Sequence, residues 1–212
     1  SDKIIIATGS DGKKKITGDI ETEKNIINLK LFKDIFENDL QFINDQEIIF
    51  KIKNKFSFTV QDEKIKALKY LSKIDLDSVI LNPETNLLKN YFSNYDNYVL
   101  LKNNSITLKY ENKNLNIVGE SEYSFGTSYN KIKYNINKKK DSYDFLTLIN
   151  FDNNPIKIKL INYSKEKNKK SNLKLKGSYN KNKVKFNEII YNEEKNLEAI
   201  SVKLAILSST CF

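Results

Sequence analysis

The chain has 212 residues, enough for one large domain with a sizeable core, and a formal charge of +9. All 36 basic residues are lysine, and arginine, histidine, tryptophan and methionine are absent. Without histidine there is no Ser-His-Asp or Cys-His catalytic arrangement and no His-ligated zinc or haem. A single cysteine, Cys211, excludes an internal disulfide. We therefore expect a protein that is not an enzyme and uses no cofactor or metal.

The first half of the chain begins with mixed patterns and then becomes strictly periodic. Lys15–Ile20 predicts a strand, and Leu29–Phe36 is compatible with a strand or a helix. From Phe50 to Val60, apolar residues alternate with lysine, serine and threonine, and Asn54 is the one polar break. Successive side chains of a strand point to opposite faces. This segment therefore predicts a strand with one apolar face and one lysine-rich face.

Two segments between residues 62 and 95 have helical spacing instead. Pro83 follows Asn82, a good cap, and the apolar residues that come next are spaced by one, three and four positions up to Tyr95. The segment from Asp62 to Lys73 is a weaker helix prediction, based on Ile65, Leu68 and Leu71. We therefore expect one or two short helices.

Beyond Ser105 the period of two returns in segment after segment, separated by turns rich in asparagine and lysine. Eight to ten strands at a spacing of roughly 10–12 residues predict an antiparallel sheet with one wet face. The fold class is thus mainly β: a multi-stranded antiparallel sheet, curled or sandwich-like, in a single elongated domain over residues 1–212. Because methionine is absent, we expect the chain to be a segment of a larger protein.

Three of the strand segments contain an internal glycine: Lys15–Ile20, Leu115–Glu120 and Leu173–Tyr179. Glycine inside a strand marks a bulge, a bend or a close backbone approach, or is simply tolerated in an ordinary hairpin. The third continues as Leu-x-Leu-x-Gly-x-Tyr-x-x-x-x-Val-x-Phe-x-x-Ile. This pattern resembles the repeated strand units of the AsmA/TamB family of bacterial envelope proteins, best over Ser105 to Leu207. The resemblance implies a gutter-shaped sheet with an apolar inner face, in a family implicated in phospholipid transport and outer-membrane assembly.

The resemblance also implies a function without catalysis. The apolar strand face would shelter or conduct lipid acyl chains in the periplasm or cell envelope, with rim lysines near phosphate head groups and with membrane or envelope proteins as partners. The predicted lining residues are Phe50, Ile52, Phe56, Phe58, Val60, Ile106, Leu108, Ile156, Ile158 and Leu160.

The alternative is that the same residues fill the closed core of a β-sandwich that acts as a surface adhesin or ligand-binding module. The alternation of apolar and polar residues along a strand is the same for an open groove and for a sealed core, so it does not distinguish between them. Nucleic acid is not an expected partner, because the aromatic residues fall opposite the lysines, whereas a stacking platform needs both on one face.

Overall fold

The computed structural model describes residues 3–9, 12–28, 43, 47–83, 86–140, 142–180, 183–194 and 200–202. These residues form fourteen strands and two 3₁₀ helices, Asn86–Asn90 and Lys159–Ile161. The strands are β1 (Lys3–Thr8), β2 (Lys14–Glu21), β3 (Asn25–Asn28), β4 (Glu47–Gln61), β5 (Lys64–Leu81), β6 (Val99–Glu111), β7 (Asn114–Ser124), β8 (Tyr129–Lys139), β9 (Ser142–Asn150), β10 (Ile156–Ile158), β11 (Tyr163–Lys165), β12 (Ser171–Asn180), β13 (Lys183–Glu193) and β14 (Ile200–Val202).

Twelve of the strands form one antiparallel sheet whose order nearly follows the chain. The order is β1-β2-β4-β5-β6-β7-β8-β9-β12-β13-β14, and β3 pairs with the first part of β4. Strands β10 and β11 form a separate two-stranded ribbon. In the described part of the chain the edge strands β1 and β14 do not pair with each other, so the sheet is open. The prediction of a mainly β, multi-stranded antiparallel fold with short helices is confirmed, with more strands than the expected eight to ten.

The connections at the two ends of the sheet differ in length. Asp62-Glu63 joins β4 to β5 and Asn112-Lys113 joins β6 to β7, with φ between 52° and 62° at all four residues. Positive φ at both central residues is typical of two-residue hairpin turns that match the strand twist. At the opposite end, β5 connects to β6 through residues 82–98 and β9 connects to β12 through residues 151–170. Both of these connections are long enough to fold back over the sheet.

Opposed residues on neighbouring strands point to the same face of a sheet. The register aligns Ile74 of β5 with Ile106 of β6, and Leu108 of β6 with Ile117 of β7. We call this side the apolar face. From β2 to β13 it carries Ile16, Ile48, Phe50, Ile52, Phe56, Phe58, Val60, Tyr70, Ile74, Leu76, Val79, Leu101, Ile106, Leu108, Tyr110, Leu115, Ile117, Tyr123, Ile132, Tyr134, Ile136, Tyr143, Phe145, Ile149, Leu173, Leu175, Tyr179, Val184, Phe186, Ile189 and Tyr191.

The opposite side is the lysine face, where lysines form ion pairs across neighbouring strands. Lys53 lies 2.9 Å from Glu21, Lys133 lies 3.0 Å from Glu120, and Lys174 lies 2.9 Å from Glu188. Exposed pairs of this kind contribute at most about 1 kcal/mol each. The alternation predicted from the sequence therefore separates an apolar side from a charged, hydrated side.

The two helix predictions have different outcomes. The helix predicted over Asp62–Lys73 is wrong, because a hairpin turn and β5 occupy these residues. Ala67 adopts a positive φ of 51° where the β4–β5 register shifts, and this bulge breaks the period of two. The helix predicted after Pro83 is reduced to the 3₁₀ helix Asn86–Asn90, followed by turns. Leu29–Phe36 lies outside the described residues.

Candidate apolar binding surface

The apolar face has a covered end, which we define as the half that lies under residues 82–98 and 151–170. Phe92 from the first connection packs against Phe125 just after β7, with ring centroids 4.6 Å apart, and against Phe151 from the second, at 5.5 Å. A smaller cluster around Ile48 and Val79 contacts Leu101, which also packs against the first cluster. The buried apolar side chains of the described residues all belong to these clusters or adjoin them: Ile48, Phe50, Val79, Phe92, Tyr95, Tyr123, Phe125, Phe151 and Ile156.

A buried lysine holds the second connection in place. Lys165 is 2% exposed, and its ammonium group donates to the carbonyl oxygens of Phe151 at 2.8 Å and Asn154 at 2.9 Å. It also reaches the carbonyl oxygens of Glu166 at 3.1 Å and Asp152 at 3.2 Å. Burial lowers the pKa of Lys165, while the nearby carboxylates of Glu193 and Asp152 oppose this shift. The carbonyl cage thus satisfies a buried cation and fixes the loop over the sheet.

The other half, nearer the hairpin turns, is the open end. It comprises Ile16, Phe56, Phe58, Val60, Tyr70, Leu108, Tyr110, Leu115, Ile117, Tyr134, Ile136, Tyr143, Phe145, Leu175, Tyr179, Val184 and Phe186. These side chains are half-buried, and the described part of the chain supplies neither a buried core cluster nor a second layer over them. The open end is therefore a single layer of apolar side chains.

Aromatic rings pack sideways along the open end. Tyr70 of β5 stacks on Tyr110 of β6 with centroids 5.9 Å apart, and Phe145 of β9 meets Phe186 of β13 edge to face at 5.8 Å across the intervening β12. Cross-strand aromatic pairs contribute roughly 0.2–1 kcal/mol each. Lateral contacts of this kind hold the surface together where no second layer does.

Each of the three internal glycines makes room for a neighbouring aromatic ring, and Gly177 lets the Phe145 ring reach across β12. A Cβ on Gly177 would collide with the Phe145 ring and with the carbonyl oxygen of Lys185. In the same way, the Phe56 ring lies over Gly18 and the Tyr134 ring lies over Gly119. Each glycine leaves a recess that a neighbouring ring fills, as in aromatic rescue of strand glycines. Of the alternatives that the sequence leaves open, Gly177 shows two: the β12–β13 register shifts beside it, and the backbone carbonyl of Lys185 approaches it closely. At Gly18 and Gly119 the close neighbour is a side chain.

The polar break at Asn54 has a partner on the next strand. The Ser72 hydroxyl of β5 donates to the side-chain oxygen of Asn54, and Ser72 is 5% exposed. A buried polar group costs free energy unless it is hydrogen-bonded. The pair is therefore a satisfied polar contact within the apolar face.

The predicted lining residues occupy several different places. Phe56, Phe58, Val60 and Leu108 lie at the open end, and Ile52 and Ile106 lie between the two ends. Phe50 is buried at the covered end. The remaining three do not share one long strand, because β10 ends at Ile158: Ile156 is buried, Ile158 is half-buried, and Leu160 is 94% exposed on the second 3₁₀ helix.

A cleft lies where the covered end meets β12 and β13. It has a volume of about 320 Å³, and its lining is almost entirely apolar. Leu173 and Ile189 of the sheet are on one side, and Ile156, Ile158 and Ile161 from the second connection are on the other. Tyr91, Phe92, Phe151, Tyr163 and Tyr191 complete it.

The hydroxyl groups of the two lining tyrosines from β11 and β13 are engaged. The oxygens of Tyr163 and Tyr191 are 2.8 Å apart, and Tyr163 donates to the Glu193 carboxylate. Burial, followed by this hydrogen bond to a carboxylate, raises the pKa of Tyr163 well above its usual value. Both hydroxyl groups are therefore protonated and hydrogen-bonded at neutral pH.

Sequence reasoning placed Ile158 on an apolar surface but missed the cleft. It did not pair Ile158 with Leu173 and Ile189, because the contact depends on how residues 151–170 fold back. The turn-forming run Asp152-Asn153-Asn154-Pro155 is the signal that marks this segment as a long connection.

The described residues contain no group of three side chains suited to hold a metal ion, and none of their helices has the length and apolarity to span a membrane. Comparisons with protein-family models, curated proteins and solved structures find no match.

Proposed function

We propose that the open end of the apolar face binds the acyl chains of phospholipid, and that the protein shelters or conducts lipid in the periplasm or cell envelope without catalysing a reaction. The observation that carries this proposal is an apolar strip that crosses nine adjacent strands, from β2 to β13, with no layer over it in the described residues.

The dimensions of the strip suit extended chains. Neighbouring strands are about 4.8 Å apart, so nine strands span about 38 Å. Removing an acyl chain from water gains about 0.8 kcal/mol for each buried methylene group. The open end therefore needs no catalytic or charged residue to hold a lipid tail.

Lysines border the same end of the sheet, next to the hairpin turns. Lys64 follows the β4–β5 turn, Lys113 lies in the β6–β7 turn, and Lys140 lies in the β8–β9 turn; all three are exposed. A lysine near an anionic membrane surface contributes about 1 kcal/mol. Asp62 and Glu63 offset part of this charge at the first turn. The rim thus favours phospholipids with anionic head groups.

The alternative of a closed sandwich requires a second apolar layer. The described residues provide a single large sheet and one two-stranded ribbon, and neither places a second layer over the open end. A second copy of the chain, stacked apolar face to apolar face, is the competing occupant that the experiment must detect.

The test compares two substitutions on adjacent residues of β6. Leu108→Asp places a charge on the open end, whereas Thr107→Asp places the same charge on the lysine face, between Lys73 and Val118 of the neighbouring strands. We expect Leu108→Asp to reduce uptake of fluorescent phosphatidylglycerol at least tenfold, and Thr107→Asp to leave uptake within twofold of the parent. Circular dichroism checks that both retain the sheet.

Two results would contradict the proposal. One is equal uptake by both variants. The other is a parent protein that takes up no phospholipid and sediments as a dimer that Leu108→Asp dissociates, since the open end would then be an interface between two copies.

A further inference from the structure

The cleft between the second connection and strands β12 and β13 opens to solvent and has a volume of about 320 Å³. An apolar space of this size fits the lower range of small-molecule sites, which begins at about 300 Å³.

The chemistry of the walls selects an alkyl chain. The aliphatic side chains of Ile158, Leu173 and Ile189 line the cleft, together with aromatic rings. The two tyrosine hydroxyl groups at the cleft bond to each other and to Glu193, so they are already engaged. A ligand with polar groups inside the cleft would lose hydration without gaining partners. A hydrocarbon chain loses no hydrogen bonds there.

The mouth of the cleft shows which end of the ligand faces water. Ile161 and Tyr91 both line the cleft and are 64% and 44% exposed, so the apolar lining continues to the surface. Lys157 and Lys159 alternate with the lining residues of this segment and are exposed, so their charges lie in solvent on this connection and not in the lining of the cleft. An anionic head group left in water at the mouth would be attracted by this positively charged segment while its chain lies inside.

We infer that the cleft is a binding site for one single-chain anionic lipid, a fatty acid, with its chain between the second connection and β12–β13 and its carboxylate in water at the mouth. The inference rests on the proposed function for its ligand class, but it concerns a different site. The cleft takes one chain of limited length, whereas the open end is a broad surface.

Chain length gives the first arm of the test. Isothermal titration calorimetry with octanoate, decanoate, dodecanoate and tetradecanoate, all below their micelle concentrations, should show one site per chain. Each methylene adds about fourfold in affinity, which is 0.8 kcal/mol converted to a ratio. We expect about a 16-fold gain from octanoate to decanoate and a plateau for the longer chains, because a cleft of about 320 Å³ holds a chain of limited length.

Two adjacent residues supply a matched pair of variants. Ile161 lines the cleft and Leu160 does not, yet both are well exposed, so Ile161→Asp and Leu160→Asp add the same charge without burying it. Dodecanoate affinity should fall at least tenfold in Ile161→Asp and stay within twofold of the parent in Leu160→Asp. A third variant, Ile189→Trp, fills the cleft from the sheet side and should abolish the site while circular dichroism stays unchanged.

The outcomes separate this inference from the proposed function. Equal losses in Ile161→Asp and Leu160→Asp, or full dodecanoate binding by a folded Ile189→Trp, would overturn the cleft as the site. Phosphatidylglycerol uptake that depends on Leu108 would stand in that case. If dodecanoate binds with the expected pattern while phosphatidylglycerol uptake is absent, the cleft is a fatty-acid site and the open end is not a lipid surface. Absence of binding to either probe would overturn both.

Discussion

The covered and open ends of the apolar face are built from the same strands with the same alternation, yet one is a core and the other is a surface. Phe92 at the covered end is 8% exposed because connections of 17 and 20 residues, 82–98 and 151–170, fold over the sheet there. At the open end Asp62-Glu63 and Asn112-Lys113 are tight turns, and among the described residues no segment covers Phe58 or Leu108. Connection length, and not strand composition, decides which apolar residues become core.

The largest effect expected from this difference is in the stability of matched truncations. Phe92→Ala should lower the free energy of unfolding by about 3–5 kcal/mol, because it removes the ring that packs on Phe125 and Phe151. Phe58→Ala should cost about 1 kcal/mol, because that ring is half-exposed and stacks mainly on Phe56. Urea unfolding followed by circular dichroism measures both. Equal losses would mean that the open end is packed as a core.

Removing the cation that fixes the second connection should have the next largest effect. Lys165→Met leaves the carbonyl oxygens of Phe151, Asp152, Asn154 and Glu166 without their donor, and we expect a loss of about 3 kcal/mol. Lys167→Met, on an exposed residue of the same connection, should change stability by less than about 0.5 kcal/mol. Similar stability of the two variants would contradict the role of the carbonyl cage.

The glycine recesses test how tightly the open end is packed. Gly177→Ala should cost about 2 kcal/mol, because its Cβ would meet the backbone carbonyl of Lys185 as well as the Phe145 ring. Gly119→Ala should cost about 1 kcal/mol, because its Cβ would meet only the Tyr134 side chain, which can move. Thermal unfolding of the two variants shows which substitution costs more stability. A Gly177→Ala variant that is more stable than Gly119→Ala would show that the recess at Gly177 is not filled.

The smallest effect is a pH dependence of stability from tyrosines with a raised pKa, among them Tyr95 and Tyr123 at the covered end and Tyr134 at the open end. Burial raises the pKa of Tyr95 and Tyr123 above their usual value of 10.0. The folded state then keeps protons that the unfolded state releases, so this contribution is complete below about pH 10 and is lost as the pH rises further. Above that pH, each such tyrosine lowers the free energy of unfolding by up to about 1.4 kcal/mol per pH unit.

Urea unfolding at pH 9, 10 and 11 measures this slope. Tyr123→Phe should make the decrease in the free energy of unfolding with pH less steep, because one ionisable tyrosine is removed. It also removes the hydrogen bond from the Tyr123 hydroxyl to the Asn150 carbonyl, which lowers stability at all pH values. Phe92→Leu, in the same cluster but without an ionisable group, should lower stability equally at all three pH values. An unchanged slope in Tyr123→Phe would place that hydroxyl in contact with water.

The strands, the separation of lysine from apolar residues and the special glycines could all be predicted from the sequence, because each depends on local alternation or backbone conformation. The helix prediction over Asp62–Lys73 failed where one bulge residue, Ala67, shifted the pattern and left Ile65 and Leu68 exposed at helical spacing. The cleft was not predictable, because Ile158 meets Leu173 and Ile189 only after a 20-residue connection folds back. Local patterns predict a side chain's face but not what lies over it.

We propose that the open end holds lipid because it is an apolar surface with no layer over it among the described residues. Native mass spectrometry of protein purified without detergent, followed by extraction and lipid analysis, tests it most directly. We expect near-stoichiometric co-purified phospholipid on the parent and on Thr107→Asp, and little on Leu108→Asp. A clean unliganded mass for the parent, with no uptake of added phosphatidylglycerol, would contradict it.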